Sequence, residues 1–286
     1  MATDFSSSSG RRDGHLIFKT GDCESVLPNI VTRRCDAENF YEDSFEVTET
    51  ERWLDSHNGF SMQNVIIAAY IRTVAAYPRL NHFIAGRKIY AHNSIEVVSS
   101  FRNYSGYDYG ETVIKTDFEA TDTVNDVNRK ITNQINAINN SDRKTLLEET
   151  AEKLANKHRF FRTLLMLLYR LLDFFGWLPE KKLNASPFHG SMRIADFGEL
   201  GIKPVTKRLA NFGTLPLYIS FGAVRTVTEI VGGNSIAERR YVDVRYSYDS
   251  RVIDNSDAAR AFELIKSYVQ NPQPLEFTPG KVYDDE

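Results

Sequence analysis

The stretch that most limits what this chain can fold into is 238–260, where an alternating run gives way through one short turn to a helix. Val242, Val244, Tyr246 and Tyr248 alternate with Asp243, Arg245 and Ser247. That two-residue period marks a strand with one packed face and one polar face. The turn Asp249-Ser250-Arg251-Val252-Ile253-Asp254 follows. Asn255 then leads into a capped helix over 256–270, with Ala259, Phe262, Ile265 and Val269 expected to point inward. A half-apolar strand followed at once by a half-apolar helix calls for a sheet with helices laid on it.

The rest of the chain alternates in the same way. Residues 38–48 read as a strand. Ser61 is placed to cap a helix over 62–77, which Pro78 stops. Residues 87–101 and 110–118 read as strands separated by a Gly- and Tyr-containing loop. Between Thr121 and Asn139, Val124, Val127, Ile131, Ile135 and Ile138 form one helical stripe. Further strands are expected at 191–196, 215–223 and 224–231, with Gly232-Gly233-Asn234 as a hairpin turn before the final strand. Late antiparallel hairpins among helices predict an α/β two-layer sandwich on a mixed or largely antiparallel sheet.

Residues 143–178 stand apart. Phe161, Leu164, Leu165, Leu168, Leu172 and Phe175 form one apolar face, which Phe160, Leu167, Leu171 and Phe174 widen. Arg162, Tyr169, Arg170 and Asp173 make a narrow polar strip, and the charge-free interval from Thr163 to Tyr169 is too short to span a bilayer. An extra core or trimer-contact helix is the default reading of such a stripe. A cover over a substrate channel and a membrane-surface contact through 158–178 are the alternatives.

With 42% hydrophobic and 26% charged residues and a net charge of −3, there is no global basic field of the kind that attracts nucleic acid. The two cysteines, Cys23 and Cys35, fit a reducing compartment, so a cytoplasmic location is expected. The opening residues lack the apolar core of a secretory signal, and 1–14 read as a disordered tail. The expected domain is 15–272 with a helical insertion at 143–187, followed by an acidic, Pro-containing tail at 273–286. No Cys/His spacing suggests a metal, and no glycine pattern of a nucleotide loop occurs.

Four stretches in order carry a resemblance. They are PNIVTRRCDA…FEVT within 28–48, helix 62–77 with Tyr77-Pro78-Arg79-Leu80-Asn81, Ile194-Ala195-Asp196-Phe197-Gly198-Glu199-Leu200-Gly201, and 246–260. Together they resemble the catalytic domain of the 2-oxoacid dehydrogenase (dihydrolipoyl) acyltransferases and the wider chloramphenicol-acetyltransferase-like superfamily. The fourth is similar to that family's DHRVIDG signature and the helix that follows it. The resemblance implies a chloramphenicol-acetyltransferase-like fold, a homotrimer with active sites between subunits, and coenzyme A or acyl-CoA as cosubstrate with no covalently bound cofactor. It also implies a histidine general base, a Ser or Thr oxyanion donor and a structural Asp that pairs with an Arg. The stretch before Pro28 is too short for a lipoyl or subunit-binding module, so a stand-alone relative is expected.

Transferred by residue, the signature is incomplete. Ser250 stands at the histidine position, and an unactivated hydroxyl is a poor base. Ala195 falls near the oxyanion position, where a methyl group donates nothing. Arg251 and Asp254 match and are expected to keep the structural ion pair. Asn255 replaces Gly, which a left-handed backbone would tolerate. The expected outcome is an acyltransferase-like protein with a degenerate site that binds acyl-CoA or an acceptor, or serves as an oligomeric scaffold. The alternative is an active CoA-dependent enzyme with relocated groups. For that alternative, Ser250 is a candidate nucleophile or an inherited serine. His189 is a candidate substitute base or a plain loop histidine. Cys35, beside Arg33 and Arg34, is a candidate thiolate or a structural thiol.

Overall fold

In the computed structural model, residues 11–18, 21–102, 111–139, 146–231 and 235–283 are described. The Gly- and Tyr-containing loop, the 232–234 turn and most of the leading tail lie outside them. The elements run β1 (Gly14–Leu16), α1 (Asp22–Ile30), β2 (Glu38–Glu46), α2 (Thr48–Ser56), α3 (Met62–Ala76), β3 (His82–Ala85), β4 (Lys88–His92), β5 (Ile95–Arg102) and β6 (Glu111–Phe118). Then come α4 (Val124–Asn139), α5 (Leu146–Ala155), α6 (Arg159–Phe174), α7 (Glu180–Asn184), β7 (Met192–Asp196), β8 (Leu217–Phe221), β9 (Arg225–Val231), β10 (Ser235–Asp249) and α8 (Asn255–Gln270).

The main sheet has the order β2-β10-β8-β7-β5-β6, with β9 paired to β10. Its pairs are antiparallel except β5–β7 and β7–β8, so the sheet is mixed, as the sequence predicts. A small antiparallel sheet, β1-β4-β3, sits beside it. The β3–β4 connection is a two-residue turn, with Ala85 opposite Lys88. Gly86 and Arg87 both take positive φ there, 55° and 64°, as such a turn demands. A side chain at Gly86 would meet the Phe174 carbonyl oxygen at 2.6 Å, so the end of α6 rests on this turn.

One face of the main sheet carries Val242, Val244 and Tyr246 of β10, Leu217 and Ile219 of β8, and Met192 and Ile194 of β7, all buried. The helices α3, α4 and α8 cover it. Ser61 caps α3, accepting from the Asn64 N–H at 3.3 Å. Val65 to Ala75 of α3 are buried throughout, the mark of a central helix rather than a surface one. In α8 the inward residues are Ala258, Ala261, Phe262, Ile265 and Val269. Ala259 is exposed, contrary to the sequence reading: Phe262, Ile265 and Val269 keep the expected phase, and the i−4 neighbour of Phe262, Ala258, takes the inward place at the first turn. After α8 the chain runs back over α3: Arg72 donates to the Pro274 carbonyl at 3.2 Å, and the Tyr283 N–H reaches the Ala75 carbonyl at 2.8 Å.

The apolar stripe of α6 does not enter the core. Phe160, Leu164, Leu167, Leu171 and Phe174 are 47–67% exposed. Leu165, Tyr169 and Leu172 are half-buried and Asp173 is buried, so the side that meets the protein combines Tyr169 and Asp173 of the expected polar strip with Leu165 and Leu172 of the expected apolar face, while Arg162 and Arg170 stay exposed. Burial of the ionised Asp173 with its partners fixes that orientation, and the core reading of the helix is corrected. Beyond the helix, Gly176 takes φ +73° and the Trp177 N–H returns to the Leu172 carbonyl at 2.8 Å, which closes the C-terminus.

Candidate functional site

The turn after β10 is held by buried charge. Asp249 is 1% exposed and accepts two hydrogen bonds from Arg251, Nε to Oδ1 at 2.8 Å and Nη2 to Oδ2 at 2.6 Å. Arg34 approaches the same carboxylate, Nε to Oδ2 at 3.3 Å. Its other nitrogens donate to the carbonyls of Ala210 at 2.8 Å and Gly213 at 2.7 Å. Arg251 also donates to the Val31 carbonyl at 3.0 Å. Burial lowers the pKa of the Arg34 guanidinium, and Asp249 opposes that shift. A single carboxylate thus joins the 34–36 segment, the end of β10 and the 210–213 loop.

The ion pair expected between Arg251 and Asp254 is therefore replaced. Arg251 turns back to Asp249, while Asp254 caps α8, accepting from the N–H groups of Ser256 at 2.7 Å and Asp257 at 2.8 Å. The backbone bond from Asp257 is the main reason the Asp254 carboxyl titrates below its ordinary value. Asn255 is the first residue of α8 and has no positive φ, so no left-handed conformation is involved. Its Oδ1 accepts from Asn39 Nδ2 and Tyr248 Oη, each at 3.0 Å.

Ser250 directs its hydroxyl to the Ala37 carbonyl at 2.7 Å, and its N–H reaches the same oxygen at 2.9 Å. Ala195 lies in β7 opposite Ser220 of β8, on the sheet face away from the helices. Ser220 in turn donates to the Val205 carbonyl at 3.0 Å.

His189 is buried (1% exposed), not a surface loop residue. Its Nδ1 is 2.7 Å from Ser186 Oγ, its Nε2 is 3.3 Å from Asp173 Oδ1, and its ring meets Phe212 edge-on at 5.2 Å. Arg11 completes this group, donating from Nη2 to Asp173 Oδ1 at 2.8 Å and from Nη1 to the Asp173 carbonyl at 2.7 Å. Burial disfavours the Asp173 charge, but His189 and Arg11 outweigh it and bring its pKa down to about 2. Neither set of contacts joins Ser250 to His189: their partners lie on different segments. Cys35 Sγ accepts from Arg33 at 3.1 Å and from Asn211 at 3.2 Å, half-buried beside the first cluster.

A cavity of about 310 Å³ lies between the two clusters. The buried Arg34, Arg251 and Asp173 line it together with Asn211 and the exposed Arg87 and Arg170. The sequence reading missed Asp249, Arg34, Arg11 and Asp173 as partners. Only the Arg33-Arg34 pair and the aspartate preceding Ser250 hinted at them, because residues 34 and 249 are far apart in the chain.

A mixed sheet with helices on one face, ending in a charged strand–turn–helix, defines the chloramphenicol-acetyltransferase-like fold. Residues 177–276, from the end of the α6 segment through α8, match the family model of the 2-oxoacid dehydrogenases acyltransferase (catalytic domain). Among solved structures, a chloramphenicol acetyltransferase aligns with a TM-score of 0.56 at 10% identity, covering 90% of this chain and 99% of that one. A probable dihydrolipoamide acetyltransferase from Listeria monocytogenes 4b F2365 aligns with a TM-score of 0.54 at 15% identity, covering 88% and 93%. At these identities the likeness is one of fold. Comparison with curated proteins finds no match. Among the described residues, no helix is long and apolar enough to cross a membrane.

Proposed function

We propose that this chain keeps the acyltransferase fold and has given up the family's proton-transfer chemistry at Ser250, binding acyl-CoA or an acyl acceptor as a homotrimer or scaffold. The observation that carries this reading is the 2.7 Å bond from Ser250 Oγ to the Ala37 carbonyl. The hydroxyl proton is committed to an acceptor that cannot take it up, so Ser250 neither removes a proton nor becomes an alkoxide. The methyl group of Ala195 offers no donor where the resemblance places the oxyanion group. A positioned general base contributes about 10²–10⁴ in rate and one oxyanion donor about 10²–10³. The exposed Arg87 and Arg170 at the 310 Å³ cavity fit a phosphate-bearing cosubstrate such as coenzyme A, which would be bound without a covalent link, while Arg34 and Arg251 are committed to Asp249. The homotrimer rests on the family resemblance.

Incubation of the purified protein with acetyl-CoA and dihydrolipoamide tests the catalytic half of the proposal. Background-level transfer is expected, and turnover like that of a working acyltransferase refutes it. Thermal shift with coenzyme A tests the binding half, since a ligand of the native state raises its stability. A second reading has one observation in its favour: His189 sits between Ser186 and Asp173, as a relocated base would. If it acts, His189→Gln removes whatever transferase activity the protein has. Unchanged activity discards it.

A further inference from the structure

The outward face of α6 is the largest feature that the proposed function leaves unused. Phe160, Leu164, Leu167, Leu171 and Phe174 share it, and Trp177 continues it at 66% exposure. With Phe161, Leu168 and Phe175 also 48–60% exposed, and about 150–250 Å² for a large aromatic side chain, the patch is on the order of 1,000 Å². The largest apolar patch on a typical soluble monomer is about 300–600 Å².

The charges around this face share one sign. Between 157 and 182 the basic residues are Lys157, Arg159, Arg162, Arg170, Lys181 and Lys182, and the acids are Asp173 and Glu180. Asp173 is buried and neutralised by Arg11 at 2.8 Å, which leaves Glu180 alone against the cations. The chain as a whole is acidic, at −3, so the basic cluster is local. Arg159, Arg162 and Arg170 also line one flank of α6, forming with Thr163, Met166 and Leu167 a surface groove of about 400 Å³. When the helix lies flat with its apolar face down, that groove falls at its edge, level with lipid phosphates.

We propose that α6 is a membrane-surface helix. It inserts its apolar face into an anionic bilayer and holds lipid phosphate in the Arg159–Arg162–Arg170 groove. A wide apolar arc, a basic flank and an aromatic residue at the end are the pattern of helices that lie in the interface plane. A second copy of the chain is the competing occupant. It would cover the apolar face equally well but gives no role to a groove of three arginines beside it. The proposal is independent of whether Ser250 or His189 is catalytic.

Co-sedimentation of the full chain with phosphatidylserine/phosphatidylcholine vesicles and with phosphatidylcholine vesicles tests it. The chain should pellet with the first, at least tenfold more strongly than with the second, and the binding should weaken as salt rises. Arg159→Glu/Arg162→Glu should remove most of the preference for the anionic vesicles. Leu167→Asp/Leu171→Asp should abolish pelleting. These positions are exposed, so melting temperatures serve as the control for folding. Failure of the wild type to pellet overturns the proposal. So does equal pelleting on both vesicle types that Arg159→Glu/Arg162→Glu leaves unchanged. Conversion of an oligomer to a monomer by Leu167→Asp/Leu171→Asp, without any vesicle binding by the wild type, assigns the face to a second copy instead.

Discussion

Two buried carboxylates organise this molecule, and they do different work. Asp249 lies between two arginines whose other donors reach the backbone carbonyls of two segments, the 210–213 loop and Val31. Asp173 lies between one arginine and one histidine, and it anchors the inner side of a helix whose outer side is bare. The first cluster ties the sheet end to the loops around it and preserves the turn that precedes α8. The second fastens an outward-facing helix to the body. A turn can thus be held by buried charge without any reacting group taking part. A buried charge can also set which side of an amphipathic helix faces out.

Substitution at Asp249 should have the largest effect. Asp249→Asn leaves Arg34 and Arg251 buried together without a counter-charge, a loss of about 3–5 kcal/mol, read from denaturant midpoints at constant m. Asp173→Asn should cost somewhat less, about 3 kcal/mol, because the side chain is slightly more exposed. It should also open 155–178 to limited proteolysis before the sheet is cut, whereas Asp249→Asn should not separate the two. If both variants lose stability equally and expose the same sites, the two clusters are one unit.

Acid sharpens the same contrast. The Asp173 pKa falls from 3.8 to about 2 in the folded state. A lowered carboxylate pKa stabilises fully above the unfolded value and is lost as pH falls through the folded one. The stability gap between wild type and Asp173→Asn should therefore be constant above about pH 4 and close between there and about pH 2. A gap that persists at pH 2 would remove the electrostatic account of this anchor. The smallest effect belongs to the cap: Asp254→Ala should cost about 1 kcal/mol, or roughly 2–4 °C in melting temperature. A loss several times larger would restore Asp254 to a role beyond capping α8.

Much of this architecture is legible in the chain because its signals are local. The alternation of 242–248, Ser61 before an apolar helix and the stripe from Val124 to Ile138 each arise from neighbours in sequence. The site is less legible because its partners are remote. Arg34 meets Asp249, and Arg11 meets Asp173, only after the sheet has formed. The Arg251–Asp254 pair inferred from resemblance gave way to Arg251–Asp249, since Asp249 is buried within reach and Asp254 has helix N–H groups to satisfy. The outward face of α6 was hidden for the same reason. Periodicity identifies an apolar stripe but carries no information on which side of the helix the fold covers.

The central claim is that Ser250 holds the place of a general base without acting as one. Comparison of acetyl transfer from acetyl-CoA to dihydrolipoamide by the wild type and by Ser250→Ala, at matched concentration and fold, tests it most directly. The account predicts equal rates at background, because the serine proton is bound to the Ala37 carbonyl in the one protein and absent in the other. A wild-type rate ~10²-fold or more above that of Ser250→Ala, the contribution of a working acid–base group, would contradict it.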